Sequence, residues 1–329
     1  MDRGDLQQLS KEQLIELVLR LQRPGKNSRT SSKPPSTDKK EKRENSRPGG
    51  AKPGHEPHNR RLPDNPDEFR DHMPGVCEGA LMNMFIRSHA RFEIEAGKAK
   101  AILRAARVVA SDETGVRIEG TNSYHWVFHC KDAVVHQPDY SRAARVVDEM
   151  MAGYVPEVWI SDRYSAQQTH GERHQTCLAH LARDTAFAFE HGSDDLPFRF
   201  KLWFGKAFDL ARTITGIAAS TLARKKRELE RQLTVLLCAP VTCDLARQLQ
   251  AKIGRAGDQL LTFCDYPGEV DVTNNTAERK LRPCVIQRKI TNGYRAMWAA
   301  EAEADVRTTI DTARLTGGNP FDVIVAILA

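Results

Sequence analysis

The chain has 329 residues, 40% hydrophobic and 28% charged, with a formal net charge of +6; that is an ordinary globular composition with room for one large domain or two smaller ones. No apolar run is long enough to span a bilayer, and the polar start MDRGDLQQLSKEQ lacks the apolar core of a signal peptide, so no membrane partner is expected and the cytoplasm is the expected compartment. The seven scattered cysteines fit reduced thiols better than a disulfide framework.

Residues 10–22, SKEQLIELVLRLQ, predict a short amphipathic helix within an N-terminal unit spanning 1–22. Ser10 and Gln13 have capping-box spacing, and Leu14, Leu17, Val18 and Leu21 form one apolar stripe. So short a helix is marginal alone, which makes self-association through the stripe an expectation. Residues 23–61 follow with 12 Lys/Arg against 4 Asp/Glu, six prolines, four glycines and no large apolar side chain. Such a segment cannot bury enough surface to fold by itself and reads as a disordered linker. Lys39, Lys40, Lys42 and Arg43 make it equally suited to contact phosphates. Residues 62–107 read as a largely helical connector.

From 107 the pattern changes. RVVASDETGVRI and SYHWVFHC are β-branched and aromatic runs joined by EGTN, as in paired strands with a turn. SRAARVVDEMMAGY predicts a helix that stops near Gly153, and PEVWISD a further strand. The remainder is mostly helical, with an insertion at about 175–260. A helix starts near Thr273–Asn275 in DVTNNTAERKLRP, and two final helices are divided by Gly317, Gly318, Asn319 and Pro320. The fold class is α/β.

Three carboxylates draw interest in that frame. Asp112 and Asp162 each stand at the end of an apolar strand, where α/β sheets bind ligands. A single Asp there is as readily a turn or N-cap residue. Glu278 is a lone acid beside Arg279, Lys280 and Arg282, which suits either a surface helix with local ion pairs or a metal held against an anion. If the three converge they offer hard oxygen ligands of the kind Mg2+ prefers, and two such ions can run phosphodiester chemistry. Arg279, Arg282 and Lys289 are candidate phosphate contacts or merely solvated charges. Cys177 and His180 form a Cys-x-x-His without a matching second pair, and fit a core thiol and a helix-face imidazole better than a zinc site.

The blocks VVASDETGVRIEG, HWVF, VWISDRYSA, HQTCLAHLARD and TNNTAERKLRP, in that order, resemble the bacterial DDE transposases of the insertion sequence 66 family, and GKNSRTSSKPPSTD and RPGGAKPGH are similar to that family's linker. The resemblance implies an RNase H-like catalytic domain over 108–329, with Asp112, Asp162 and Glu278 as a catalytic site binding Mg2+ (two ions) or Mn2+. It places Cys177, His180 and Asn275 near that site. It implies DNA ends and target DNA as partners, a homo-oligomer on DNA, and accessory proteins of the same element. The family's cysteine-rich segment is reduced to Cys77, with Ala80 where a second cysteine would stand, so the chain reads as shortened by an internal deletion and is expected to hold no zinc. Two other readings stay open: a structure-selective nuclease on the same fold, and a DNA-binding derivative without catalysis.

Overall fold

The computed structural model describes residues 78–329 and, in isolation, Ser10. The expected helix at 10–22 beyond Ser10, the basic linker with Lys39, Lys40, Lys42 and Arg43, and Cys77 lie outside the described residues.

Five strands form one sheet in the order β3-β2-β1-β4-β5. Strands β1 (Val108–Ile118), β2 (Thr121–His129) and β3 (Val134–Asp139) make an antiparallel meander. Glu119 and Gly120 connect β1 to β2 with φ of 54° and 74°, the double left-handed geometry that two-residue hairpins require. Strands β4 (Val158–Ser161) and β5 (Arg173–Thr176) extend the sheet in parallel from β1. Parallel addition needs a crossover, supplied by α2 (Arg145–Met151) after α1 (Glu78–Leu103) has opened the described chain.

Two strands escape the sequence pattern. β3, VVHQPD, is short and carries Pro138, while β5, RHQT, is polar. Both are buried by tertiary contacts rather than by an apolar alternation of their own. β1 also differs from expectation: Asp112 is inside the strand, not at its end. The reason is that pairing with β2 runs on to Ile118, whereas pairing with β4 covers only Val108–Ala110. Helices resume at Leu178, so residue 175 belongs to β5 rather than to the helical insertion.

The alternation of β-strand side chains divides the core in two. Val109, Trp126, Phe128, Val135 and Trp159 pack on one face with Leu103 of α1 and Val146, Val147, Met150 and Met151 around α2. On the other face Ala110, Val158 and Ile160 join α3 (Leu178–His191), α4 (Leu196–Thr213), α5 (Ala219–Leu237) and α6 (Asp244–Ala256). Phe200, Trp203 and Phe204 of α4 are almost wholly buried there, each contributing about 1.5–3 kcal/mol of transfer free energy; Trp203 Nε1 is satisfied by the Leu229 carbonyl at 2.9 Å. On the same face Val127 and Val134 pack against Ala277 and Leu281 of α7 (Asn275–Thr291).

The last two helices follow the sequence pattern. α8 (Met297–Leu315) covers the β3 edge of the sheet, where Thr308 and Thr312 hydroxyls accept the His136 and Val134 amides at 2.9 and 3.0 Å. Edge groups that would otherwise recruit another strand are thereby closed. Gly317, at φ 80°, ends α8, and the Asn319 side chain caps α9 (Pro320–Leu328) through the Phe321 amide at 3.1 Å. No helix among the described residues is long and apolar enough to cross a membrane.

Burial lowers both His129 and His174 to about 4. In the unfolded chain a histidine titrates near 6.5, so between the two values the unfolded state binds more protons and stability rises with pH. The stabilisation is complete above about 6.5 and is lost as pH falls towards about 4. Urea unfolding is expected to show a lower midpoint at pH 5 than at pH 7.5, with a loss on the order of 1–3 kcal/mol per histidine, and His129→Asn should flatten that difference.

Candidate active site

The register of β1 with β4 pairs Val108 with Val158, Val109 with Trp159 and Ala110 with Ile160. Carried two residues further, the same offset sets Asp162 level with Asp112 on the neighbouring strand. Residues at matched positions of parallel strands point to the same face, here the face that carries Ala110, Ile160 and helices α3 and α7. Asp162 directly follows the last residue of β4, and its charge acts on the Asp112 carboxyl. Asp162 makes a tight turn there, its Oδ1 accepting the Tyr164 amide at 2.8 Å.

Glu278 is brought to this rim by α7, and Asn274 decides where α7 begins. The Asn274 side chain is buried, and its Nδ2 donates to the Ser111 carbonyl at 2.7 Å, one residue before Asp112. Its backbone amide donates to Cys177 Sγ at 3.1 Å. The Leu178 amide in turn donates to the Val272 carbonyl at 3.1 Å. Strand β1 and the starts of α3 and α7 are thus laced together by three hydrogen bonds around one asparagine. Glu278 stands in the first turn of α7, where the helix dipole favours a negative charge.

Alpha3 supplies what flanks the glutamate. His180 Nε2 lies 3.6 Å from Glu278 Oε1, and Arg183 Nη2 lies 3.6 Å from Oε2. Glu278 Oε1 is buried and accepts no hydrogen bond, and His180 Nδ1 is likewise buried without one. Burial holds His180 below the usual imidazole range, against the pull of Glu278 and Asp162. Burial, together with the charges of Glu113, Asp162 and Glu278, holds the Asp112 carboxyl well above the usual carboxylate range. Asp112 thus senses both other carboxylates. The three are nevertheless not among the described groups whose ligand atoms all come within 4.8 Å of one another.

The other residues singled out from sequence fall in different places. Cys177 is fully buried at the start of α3 and serves as an acceptor. Asn275 is exposed; the structural asparagine of the NN pair is its neighbour Asn274. Arg279, Arg282 and Lys289 lie on the exposed side of α7. Arg279 and Arg282 border a groove with Ile286 and Ile290, and Lys289 borders another with Arg117, Arg288 and Asn122.

A fourth acid escapes the sequence pattern. Glu113 faces away from Asp112 and is enclosed by Arg142 at 2.6 Å and Gln167 at 2.5 Å, while Gln167 also meets the Ser111 hydroxyl. Burial raises its carboxyl above the usual range despite Arg142. Arg142 itself stacks on Tyr164 at 3.8 Å, just past Asp162. The DE pair at 112–113 was the only signal available in sequence, and strand alternation sends its two members to opposite faces.

Residues 67–302 match the family model described as Transposase IS66 family. No curated protein matches the chain.

Truncation of Asn274 should loosen this arrangement. Asn274→Ala leaves the Ser111 carbonyl without its donor and is expected to cost about 1–3 kcal/mol in urea unfolding, whereas exposed Asn275→Ala should stay within about 0.5 kcal/mol of the parent.

Proposed function

The chain belongs to the IS66 transposase family, and on that premise we propose that it cuts DNA strands at the ends of an insertion sequence and joins the freed 3′ ends to target DNA, with Asp112, Asp162 and Glu278 as the metal-holding carboxylates. The observation that carries this reading is the buried Asn274 link to the Ser111 carbonyl, which fixes the first turn of α7, with Glu278 on it, against the strand that holds Asp112. Three acids packed at one rim repel one another, and a cation relieves that repulsion. The RNase H-like fold belongs to the same proposal. It is supported by the sheet order β3-β2-β1-β4-β5, with three antiparallel strands followed by two parallel ones.

The residues suit a hard divalent ion. All three offer carboxylate oxygens, and Glu278 Oε1 is buried with no hydrogen bond to give up, the donor type that Mg2+ and Mn2+ take. When bound, such ions supply Lewis-acid stabilisation to the attacking and leaving oxygens of a phosphodiester. Asp112, within β1, and Asp162, directly after β4, would hold the cation. Glu278 closes the site from α7, held at its depth by the Asn274 link to Ser111. His180 and Arg183 orient the glutamate from the side. A neutral His180 also leaves a group able to take or return a proton beside the reacting oxygens.

Arg279, Arg282 and Lys289 continue from Glu278 along the exposed side of α7 and would track the DNA backbone; the basic segment 23–61 would add phosphate contacts that carry no base specificity. Assembly as a homo-oligomer on paired DNA ends, with accessory proteins of the same element, completes the proposal.

Two tests follow. Mg2+-dependent cutting of DNA bearing an element end should fall by roughly 100-fold or more in Glu278→Gln and Asp112→Asn, as expected when several kcal/mol of charge stabilisation is lost, with circular dichroism unchanged; equal rates in the variants would remove these residues from the site. Pre-cut ends should also be joined to target DNA, and cutting without joining would favour the nuclease reading. Deleting residues 23–61 should flatten the dependence of log affinity on log salt, since fewer counterions are then released.

A further inference from the structure

Beneath α7, on the same face of the sheet as Asp112, lies a buried cluster that the cleavage chemistry leaves unused. His125 comes from β2, His136 from β3 and Cys284 from α7, and all three are buried. One ligand atom from each lies within 4.8 Å of the other two, and among the described residues no other set of histidine, cysteine or acidic side chains does this. His125 Nε2 and His136 Nδ1 are 3.0 Å apart. In a tetrahedral zinc site with Zn–N bonds of 2.0–2.1 Å, two nitrogens sit roughly 3.4 Å apart, so the pair is already near the bite that such an ion requires.

Behind His136 stands a carboxylate. His136 Nε2 meets Asp311 Oδ2, on α8, at 3.2 Å. An ionised carboxylate can only accept, so His136 carries its proton on Nε2 and turns a bare Nδ1 towards His125. This is the arrangement by which a carboxylate fixes the tautomer of a metal-binding histidine. His125 Nδ1 is buried with no partner, so moving the His125 proton to Nδ1 leaves that N–H unpaired at a cost of about 1–3 kcal/mol, which the metal–nitrogen bond must exceed to free Nε2 as a second lone pair. Neither histidine is held in place by the proposed cutting reaction.

We propose that His125, His136 and Cys284 form a site for a borderline-soft divalent ion of the zinc class, which ties α7 to strands β2 and β3. Two imidazoles and a thiolate suit such an ion and do not suit magnesium. On binding, Cys284 releases its thiol proton to solvent and the His125 proton moves from Nε2 to Nδ1. The two positive charges of the ion are then matched by the Cys284 thiolate and the Asp311 carboxylate. On α8, Arg307 is engaged by Glu303, and Arg314 reaches the second oxygen of Asp311 at 3.4 Å. The fourth coordination position is left to water. Cys284 follows Glu278 by six residues on the same helix, about 9 Å along its axis, so an ion here would set the depth at which α7 presents the glutamate. The site is the reverse of the zinc-free chain expected from sequence. That expectation looked for short-spaced pairs, and these ligands lie far apart in the chain.

The test needs no transposition activity. Full-length protein is loaded with Zn2+ or Co2+, dialysed exhaustively, and examined by elemental analysis and absorption. One tightly held ion per chain is expected, and the cobalt form should show a thiolate-to-metal band in the near ultraviolet. Cys284→Ser should lose that band, and His125→Asn should lose the ion, while Cys238→Ser, at an exposed thiol, keeps both. Absence of a tightly held ion in the parent protein would overturn the proposal, leaving a dry His-His-Asp relay. So would a thiolate band that persists in Cys284→Ser. Should Cys284→Ser fail to fold, the cobalt spectrum of the parent decides, because a bound ion without the thiolate band excludes Cys284 as a ligand.

Discussion

Asp112, Asp162 and Glu278 are like charges that the fold holds within sensing distance of one another. Nothing in the local chemistry of three carboxylates favours this. It persists because the β1–β4 register sets two of them level and a single buried asparagine fixes the third. Asn274 is the point through which strand β1 and helices α3 and α7 are coupled. Without it, α7 would keep its apolar contact with Val127 and Val134 but lose its axial position. A residue on the first turn of that helix would then have no defined place at the rim.

The helical insertion between β5 and α7 supports the same arrangement from outside. Its apolar interior of Phe200, Trp203, Leu229 and Leu233 is continuous with the sheet through Ala110, Val158 and Ile160. α3 is consequently held on two sides, by the sheet and by α4 to α6, and delivers His180 and Arg183 to Glu278. Lys252 on α6 pairs with Asp184 of α3, and Arg163, next to Asp162, donates to the Lys252 carbonyl at 2.8 Å. The rim and the insertion therefore share a polar seam as well as a core.

The sequence made part of this legible. Hydrophobic runs announced β1, β2 and β4, the EGTN turn joined the first two, and Gly and Asn-Pro signals divided the last helices. The polar strand β5 and the proline-bearing β3 left no such trace, because burial by neighbouring elements, not alternation, makes them strands. Carboxylates after apolar runs were visible, yet their level on adjacent strands depended on register, which composition does not encode. The NN pair was noticed without showing which asparagine turns inward. His125, His136 and Cys284 were invisible as a group, since only the folding of α7 over β2 and β3 brings them together.

Joint action of Asp112, Asp162 and Glu278 on one cation in the presence of DNA is what the proposed function requires. It is tested most directly by a crystal structure of the protein bound to an element end and Mn2+, with the metal located by its anomalous scattering. A manganese peak held by Asp112 and Asp162, with Glu278 turned towards it and a backbone phosphate alongside, is the expected result. A peak elsewhere, or Glu278 directed away from an ion bound by the two aspartates, would contradict it.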